Sequence, residues 1–174
     1  MSRRNIIVGG AGGGLIALAL SVATPEIKEV EGRRNLPYYD IVKVLTVCDG
    51  HTGPEIVKSK KYEDAECDAL TTKDAKKFAE GVLRTSPHLA WHPMQLAAAI
   101  SFSYNVGTGT YQKSSVARLF NEGRFIEGCN FLLRYNRAGG RVVQGLVNRR
   151  ERERDICLST LTKEGMSYVV DKDQ

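Results

Sequence analysis

Glu31, Asp40 and Thr46 have the residue types and spacing for acid–base work on a sugar linkage. Asp40 follows Glu31 by nine positions, and Thr46 follows Asp40 by six. Cleavage of a glycosidic bond needs one carboxyl that stays protonated to serve the leaving oxygen. It needs a second that stays ionised to handle water or the charge of the sugar cation. Two carboxyls in different surroundings have pKa values pushed apart, which separates those roles. Glu31 is read as the general acid. Asp40 is read as the group that activates water or steadies the cation, and Thr46 as a hydroxyl that positions the water. Taken alone, Glu31 and Asp40 are two of twenty acidic residues, and a solvated surface carboxylate is the ordinary explanation. Glu29 is a rival acid, but it lies eleven residues before Asp40 and lacks the glycine that follows Glu31.

Other side chains invite weaker readings. His51 follows Gly50 and has no second His or Cys at ligand spacing, so a hydrogen bond across the lobes is expected and a metal is not. Asn105 is a candidate substrate contact or a satisfied buried amide. Tyr38 and Tyr39 are candidate sugar-stacking rings. Trp91 and Tyr104 are expected in the core. The run Arg149-Arg150-Glu151-Arg152-Glu153-Arg154 alternates in charge and reads as a solvated helix face.

These residues need elements to hold them. Thr24-Pro25 reads as a helix start, with Thr24 as N-cap and Pro25 in the first turn, and that helix ends at Gly32. Residues 36–40 read as a turn. The alternating run from Ile41 to Cys48 reads as a hairpin strand, closed by Asp49-Gly50. Thr71 and Asp74 have capping-box spacing for a helix reaching about Arg84. Beyond Pro93 the apolar spacing is helical, and the last helix is expected from Val142 to about Leu158. The fold class is therefore α+β, with a small β-containing lobe ahead of a helical one.

The 174 residues carry 42% apolar and 26% charged side chains and a net charge of +5. That is one globular domain with an affinity for polyanions. A nucleic-acid binder is disfavoured, because the basic run has no interleaved aromatics and no binding motif. No charge occurs from Asn5 to Pro25. Twenty-one helical residues span about 31 Å, enough for a bilayer core. Five glycines and four alanines make the segment weakly apolar. It suits a cleaved signal peptide ending near Ala23, a permanent anchor, or a segment that inserts and later leaves. The last fits the marginal hydrophobicity best. The charge count alone does not orient it, and the terminal amine with Arg3 and Arg4 favours an N-in insertion. Each reading exports the body of the chain, where Cys48, Cys67, Cys129 and Cys157 can form two disulfides.

The pattern Glu31-x8-Asp40-x5-Thr46 resembles the catalytic signature of the phage-type lysozymes, glycoside hydrolase family 24. The likeness extends through Pro37-Tyr38-x-Asp40, through Gly50-His51-Thr52-Gly53 and through Ser101-Phe102-x-Tyr104-Asn105-x-Gly107. It continues in Ala138-Gly139-Gly140 and in Gly145-Leu146-x-x-Arg149-Arg150-x-x-Glu153. It covers about residues 31–158. The family's Trp before Ala-Gly-Gly is replaced by Tyr135-Asn136. With its weakly apolar N-terminus and four cysteines, the chain is similar to the signal-arrest-release endolysins of lambda-like phages.

The resemblance implies a lysozyme-like fold and a monomeric, cofactor-free muramidase. Its substrate would be peptidoglycan glycan strands, and no nucleic acid is expected as a partner. Glu31, Asp40 and Thr46 would be catalytic, with Tyr38 and Asn105 against substrate. The implied disulfides are Cys48–Cys67 and Cys129–Cys157. Residues 1–25 would form the membrane segment, 26–160 the enzyme and 161–174 a polar tail. The domain would face the periplasm, tethered and inactive in the host cytoplasmic membrane, and become soluble on release. A lytic transglycosylase would need no second carboxylate. A dead wall-binding module would need no intact triad.

Overall fold

The computed structural model describes residues 11–40 and 43–161. The expected leader before Ala11, the strand residues Ile41 and Val42, and the tail after Leu161 lie outside the described residues. The architecture is α+β. Helix α1 (Ala11–Glu31) leads into a three-stranded antiparallel sheet of β1 (Arg34–Tyr39), β2 (Leu45–Cys48) and β3 (His51–Thr52), with β2 central. Helix α2 (Asp64–Thr85) and a 3₁₀ turn (Pro87–Trp91) connect to α3 (Pro93–Val106). Short helices α4 (Thr108–Lys113), α5 (Ser115–Asn121) and α6 (Phe125–Phe131) follow. A two-stranded ribbon, β4 (Arg137–Ala138) with β5 (Arg141–Val142), precedes α7 (Gln144–Leu158).

Helix α3 is the hub, with every residue from Gln95 to Ser103 buried. Helices α1, α2 and α7 all pack on it. Ala19, Ala23 and Ile27 recur every four residues on α1 and are fully buried in the helical core. That stripe corrects the expected helix start at Thr24. Pro25 lies inside α1, which runs through it without ending. An interior proline costs a helix about 3 kcal/mol, and packing of one apolar face outweighs it. The end at Glu31 is set by Gly32, whose φ of +70° stops the helix in a left-handed conformation. Among the described residues, no helix is long and apolar enough to cross a membrane.

Two other boundaries differ from expectation. Residues 34–39 form strand β1, not a turn, with Tyr38 opposite Thr46 and Tyr39 opposite Leu45. Pro37 misleads because an edge strand tolerates it. The turn comes later: the Asp40 N–H donates to the Val44 carbonyl at 3.0 Å, and Lys43 has a φ of +63°. Helix α2 begins at Asp64, seven residues before Thr71. There the Glu66 carboxylate accepts the Glu63 N–H at 3.0 Å, and Asp64 and Glu66 suit the positive end of the helix. Val142 is in β5, so α7 starts at Gln144.

A small second core of Val47, Cys48, Ile56, Tyr62 and Cys67 lies under the sheet. Cys48 is bridged to Cys67 there, and Cys129 to Cys157 in the helical core, with Cα–Cα distances of 5.1 and 5.6 Å. These are the pairs that the family resemblance implies.

Candidate active site

Glu31 is the last residue of α1, and its side chain is about one quarter exposed. Its Oε1 accepts a hydrogen bond from Arg149 Nη1 of α7. Its Oε2 faces the backbone of Gly50, where a Cβ would come within 3.7 Å of that oxygen and 3.8 Å of the Tyr104 ring. Gly50 has a φ of +87°, so a side chain there would be strained as well as crowding. The Tyr104 hydroxyl donates to the Asp49 carbonyl at 2.8 Å, which ties α3 to the β2–β3 turn. Burial, followed by the charges of Asp74, Glu31 and Asp49, pushes the Tyr104 phenol well above its ordinary range. It stays neutral and can donate a hydrogen bond at any working pH.

Behind Glu31 the charged run of α7 is turned inward, contrary to the solvated face expected of it. Arg149, Arg150 and Glu153 are buried, the last two completely. Their spacing of three and four residues puts all three on one helix face. Arg149 is fully committed. Nη1 holds Glu31, Nη2 donates to the Ser101 carbonyl at 3.0 Å, and Nε donates to Glu153 at 3.2 Å. The remaining charges of the run do face outward, and Arg152 pairs with Glu29 of α1 at 2.5 Å.

Asp40 and Thr46 meet at the backbone of a third residue. Asp40 Oδ1 accepts the Val44 N–H at 2.8 Å, and the Thr46 hydroxyl donates to the Val44 carbonyl at 3.0 Å. Both sit on the β1–β2 hairpin. Thr46 is buried in the central strand, paired with Tyr38 on one side and Thr52 on the other. The hairpin and the end of α1 are joined through Arg33, which donates to the buried Asp49 at 2.8 and 3.2 Å. Thr71 donates to the same carboxylate at 2.6 Å. Asp49 therefore anchors the turn carrying Gly50 against both α1 and α2.

The other expected residues divide. His51 Nδ1 lies 2.7 Å from Asp74 Oδ2 of α2, a link from the sheet to the long helix. Asn105 is exposed and accepts from Arg150 Nη2 at 3.2 Å, so it is not a buried amide. Tyr38 lies under the Arg34 guanidinium at 4.4 Å, and Tyr39 is largely exposed on the sheet's edge strand. Trp91 is 46% exposed, which corrects its expected place in the core. Among the described residues, no group of three or more His, Cys, Asp or Glu is placed to hold a metal. Sequence reasoning missed Arg149, Glu153, Asp49 and Arg33. Arg149 and Glu153 stood in the family pattern and at i, i+4 spacing, but neither signal separates an inward face from a solvated one.

The sequence model of the phage lysozyme family matches residues 28–153. The chain is 41% identical over 159 residues to a SAR-endolysin of Bacteriophage PS119, covering 89% of this chain and 93% of that protein. It is 40% identical to the SAR-endolysin of Enterobacteria phage P21, covering 90% and 96%. In fold it resembles the active form of the P1 phage endolysin Lyz, with a TM-score of 0.72 at 22% identity over 89% of this chain and 97% of that one. The family model spans Glu31, the hairpin carrying Asp40 and Thr46, and Arg149 through Glu153. The chain belongs to the phage lysozyme family and is a muramidase-class hydrolase.

Proposed function

We propose that this enzyme is an endolysin that hydrolyses the β-1,4 bond between N-acetylmuramic acid and N-acetylglucosamine in peptidoglycan, and so lyses the host cell. One observation carries the assignment of roles. The Glu31 carboxyl stands at a helix end between Arg149 and the Gly50 backbone, whereas the Asp40 carboxyl stands in a hairpin turn. Glu31, held at the helix end beside the Gly50 backbone, is the general acid. Asp40 is the ionised partner, and Thr46 helps fix the hairpin that presents it. Tyr38, half-buried on β1, and Asn105, exposed at the end of α3, are the candidate substrate contacts. Digestion of purified peptidoglycan tests the reading. New reducing muramic acid ends are expected. Anhydro-muramic ends would make the enzyme a transglycosylase and overturn it.

The N-terminal segment is the control element. Residues 11–25 belong to the same helix that ends in Glu31, and Ala19 and Ala23 fill the core beside α3. A segment held in a membrane cannot occupy that core, so the tethered enzyme lacks the support that places Glu31. Release from the host cytoplasmic membrane supplies it, and the enzyme then acts as a soluble periplasmic monomer. Fractionation before and after an uncoupler should move the full-length protein from membrane to soluble fraction. A protein that is soluble from the start and cut at Ala23 would make the segment an ordinary signal peptide.

A further inference from the structure

Glu153 is the least explained group in the enzyme. It is completely buried, and a buried carboxylate is costly unless it is paired. Its Oε1 accepts from Ser101 Oγ at 2.8 Å, Arg150 Nη2 at 2.9 Å and Arg149 Nε at 3.2 Å. Its Oε2 is buried without a hydrogen-bond partner among the described residues. Such a cluster is a poor stabilising device, since apolar residues of similar volume often serve as well. Its distinguishing feature is the shared guanidinium, because Arg149 touches Glu31 with one nitrogen and Glu153 with another.

We propose that Glu153 is a positioning residue that divides the charge of Arg149 between itself and Glu31, and so limits how tightly the guanidinium holds the Glu31 carboxylate. The inference rests on the reading of Glu31 as general acid. An acid that must keep its proton is poorly served by a buried cation. An opposite charge within about 4–6 Å lowers a carboxyl pKa by about 1–3 units. Glu153 draws on the same cation from the far side and adds a negative charge behind it. Burial, the largest influence, raises the Glu153 carboxyl, and Arg150 and Arg149 pull it back toward the ionised form. Burial also lowers Arg150 to about 10, still charged at neutral pH.

Among the described contacts, Arg149 alone is hydrogen-bonded to both Glu31 and Glu153, while Arg150 bonds Glu153 and acts on Glu31 only through its charge. Glu31 faces Arg149 and, at longer range, Arg150 of α7, Tyr104 of α3 and the Asp49-Gly50 turn, with Asp74 of α2 beyond the tyrosine and Glu26 and Glu29 on its own helix. Glu153 faces Arg149 and Arg150 on α7 and Ser101 on α3, with Asn105 reached through Arg150. Arg152 is taken up by Glu29. Among the described ion pairs, Glu153 is the second carboxylate on Arg149.

The test is Glu153→Gln, assayed for kcat and KM against pH on purified peptidoglycan, with the Glu31 carboxyl followed by carbon NMR. The Glu31 midpoint and the alkaline limb of kcat should both fall by about one unit, with KM unchanged. Above that limb, activity falls about tenfold. Ser101→Ala removes a donor that favours ionised Glu153, so it should move the midpoint in the same direction by less. A purely structural role would lower Tm and leave the midpoint in place. An unmoved midpoint in Glu153→Gln overturns the inference, as does an unmoved midpoint in Ser101→Ala if the first variant fails to fold. Glu31→Gln is the control. If it stays active, the acid assignment falls. If it is inactive and the midpoint has not moved, only this inference falls.

Discussion

Glu31 and Asp40 are nine residues apart in the chain and are held by opposite means. Asp40 is fixed locally. Its carboxylate and its N–H both bond to Val44, four residues away. Glu31 is fixed from a distance. Its partner Arg149 lies 118 residues further on, and its helix is seated by residues that pack against α2 and α3. The hairpin carries its carboxylate through contacts with Val44 within one turn, on a strand that the Cys48–Cys67 bridge and the Arg33–Asp49 pair tie to α2 and to the end of α1. The helix end carries its own only when α1 is docked and α7 is in place. The contacts that place Asp40 at Val44 span one turn, whereas the contact of Glu31 with Arg149 spans the domain.

The largest effect should come from the conditional carboxyl. Glu31→Gln keeps the size and a hydrogen-bonding oxygen for Arg149, but has no acid proton to give. Activity on purified peptidoglycan should fall by about 10²–10⁴-fold, with the circular dichroism spectrum unchanged. Next comes its distant support. Arg149→Met strips Glu31 of its partner and leaves the buried Glu153 with one cation fewer. Breaking a buried pair in this way costs about 3–5 kcal/mol, read as a lower urea midpoint. Asp40→Asn should lower that midpoint by less, because the amide oxygen can still accept from the Val44 N–H. Equal stability losses in the two variants would erase the contrast.

The same division explains what could be read from the chain. Asp40 and Thr46 were legible as candidates through their spacing from Glu31, but the hairpin that carries them was not, since the turn expected at residues 36–40 is strand β1 and the chain reverses between Asp40 and Val44. Glu31 was legible through its place beside Gly32, which ends α1 in the structure. Arg149 and Glu153 were visible as part of the family pattern, but their burial was not, because alternating charge looks alike on a solvated face and on one folded inward. Which it becomes depends on Ser101 and Glu31, far away in sequence. Pro25 misled for a related reason. Local rules make it a boundary, and only the burial of Ala19, Ala23 and Ile27 on α3 carries the helix through it. Thr71 and Asp74 looked like a helix start, yet both spend their side chains on the sheet lobe, at Asp49 and His51.

Docking of α1 can be probed with less damage. Ala23 is fully buried in the seam, whereas Leu18 on the outer face is 45% exposed. Ala23→Leu forces three extra carbons into a packed interface, and overpacking costs about 1–3 kcal/mol. Leu18→Ala should stay within about 0.5 kcal/mol of the parent. Thermal unfolding separates the two. Similar losses from both would mean that α1 is not seated by its alanine face.

The smallest effect belongs to Glu26, one turn and a half before Glu31 on the same helix. Its Oε1 is buried without a hydrogen-bond partner among the described residues. Burial raises its pKa, the nearby Glu29 adds to the rise, and Arg152 and Arg149 oppose it. The sign of the consequence is the reverse of that for a salt-bridged carboxylate. The folded state binds the proton more tightly than the unfolded chain, so stability falls as pH rises from the ordinary carboxylate range through the raised value. Above that window the loss is complete, and below it the group costs nothing. Glu26→Gln removes the charge and the dependence together. The variant should match the parent near pH 4 and exceed it at pH 7 by about 2 °C in Tm, the scale of a fraction of a kcal/mol to 1 kcal/mol for a chain of this size. Glu29→Gln, which loses the exposed pair with Arg152, should shift Tm downward or not at all. If Glu26→Gln is instead less stable than the parent at pH 7, the cations of α7 dominate at that carboxyl. Glu26 would then be part of what holds α1 in place, not a local cost of placing Glu31.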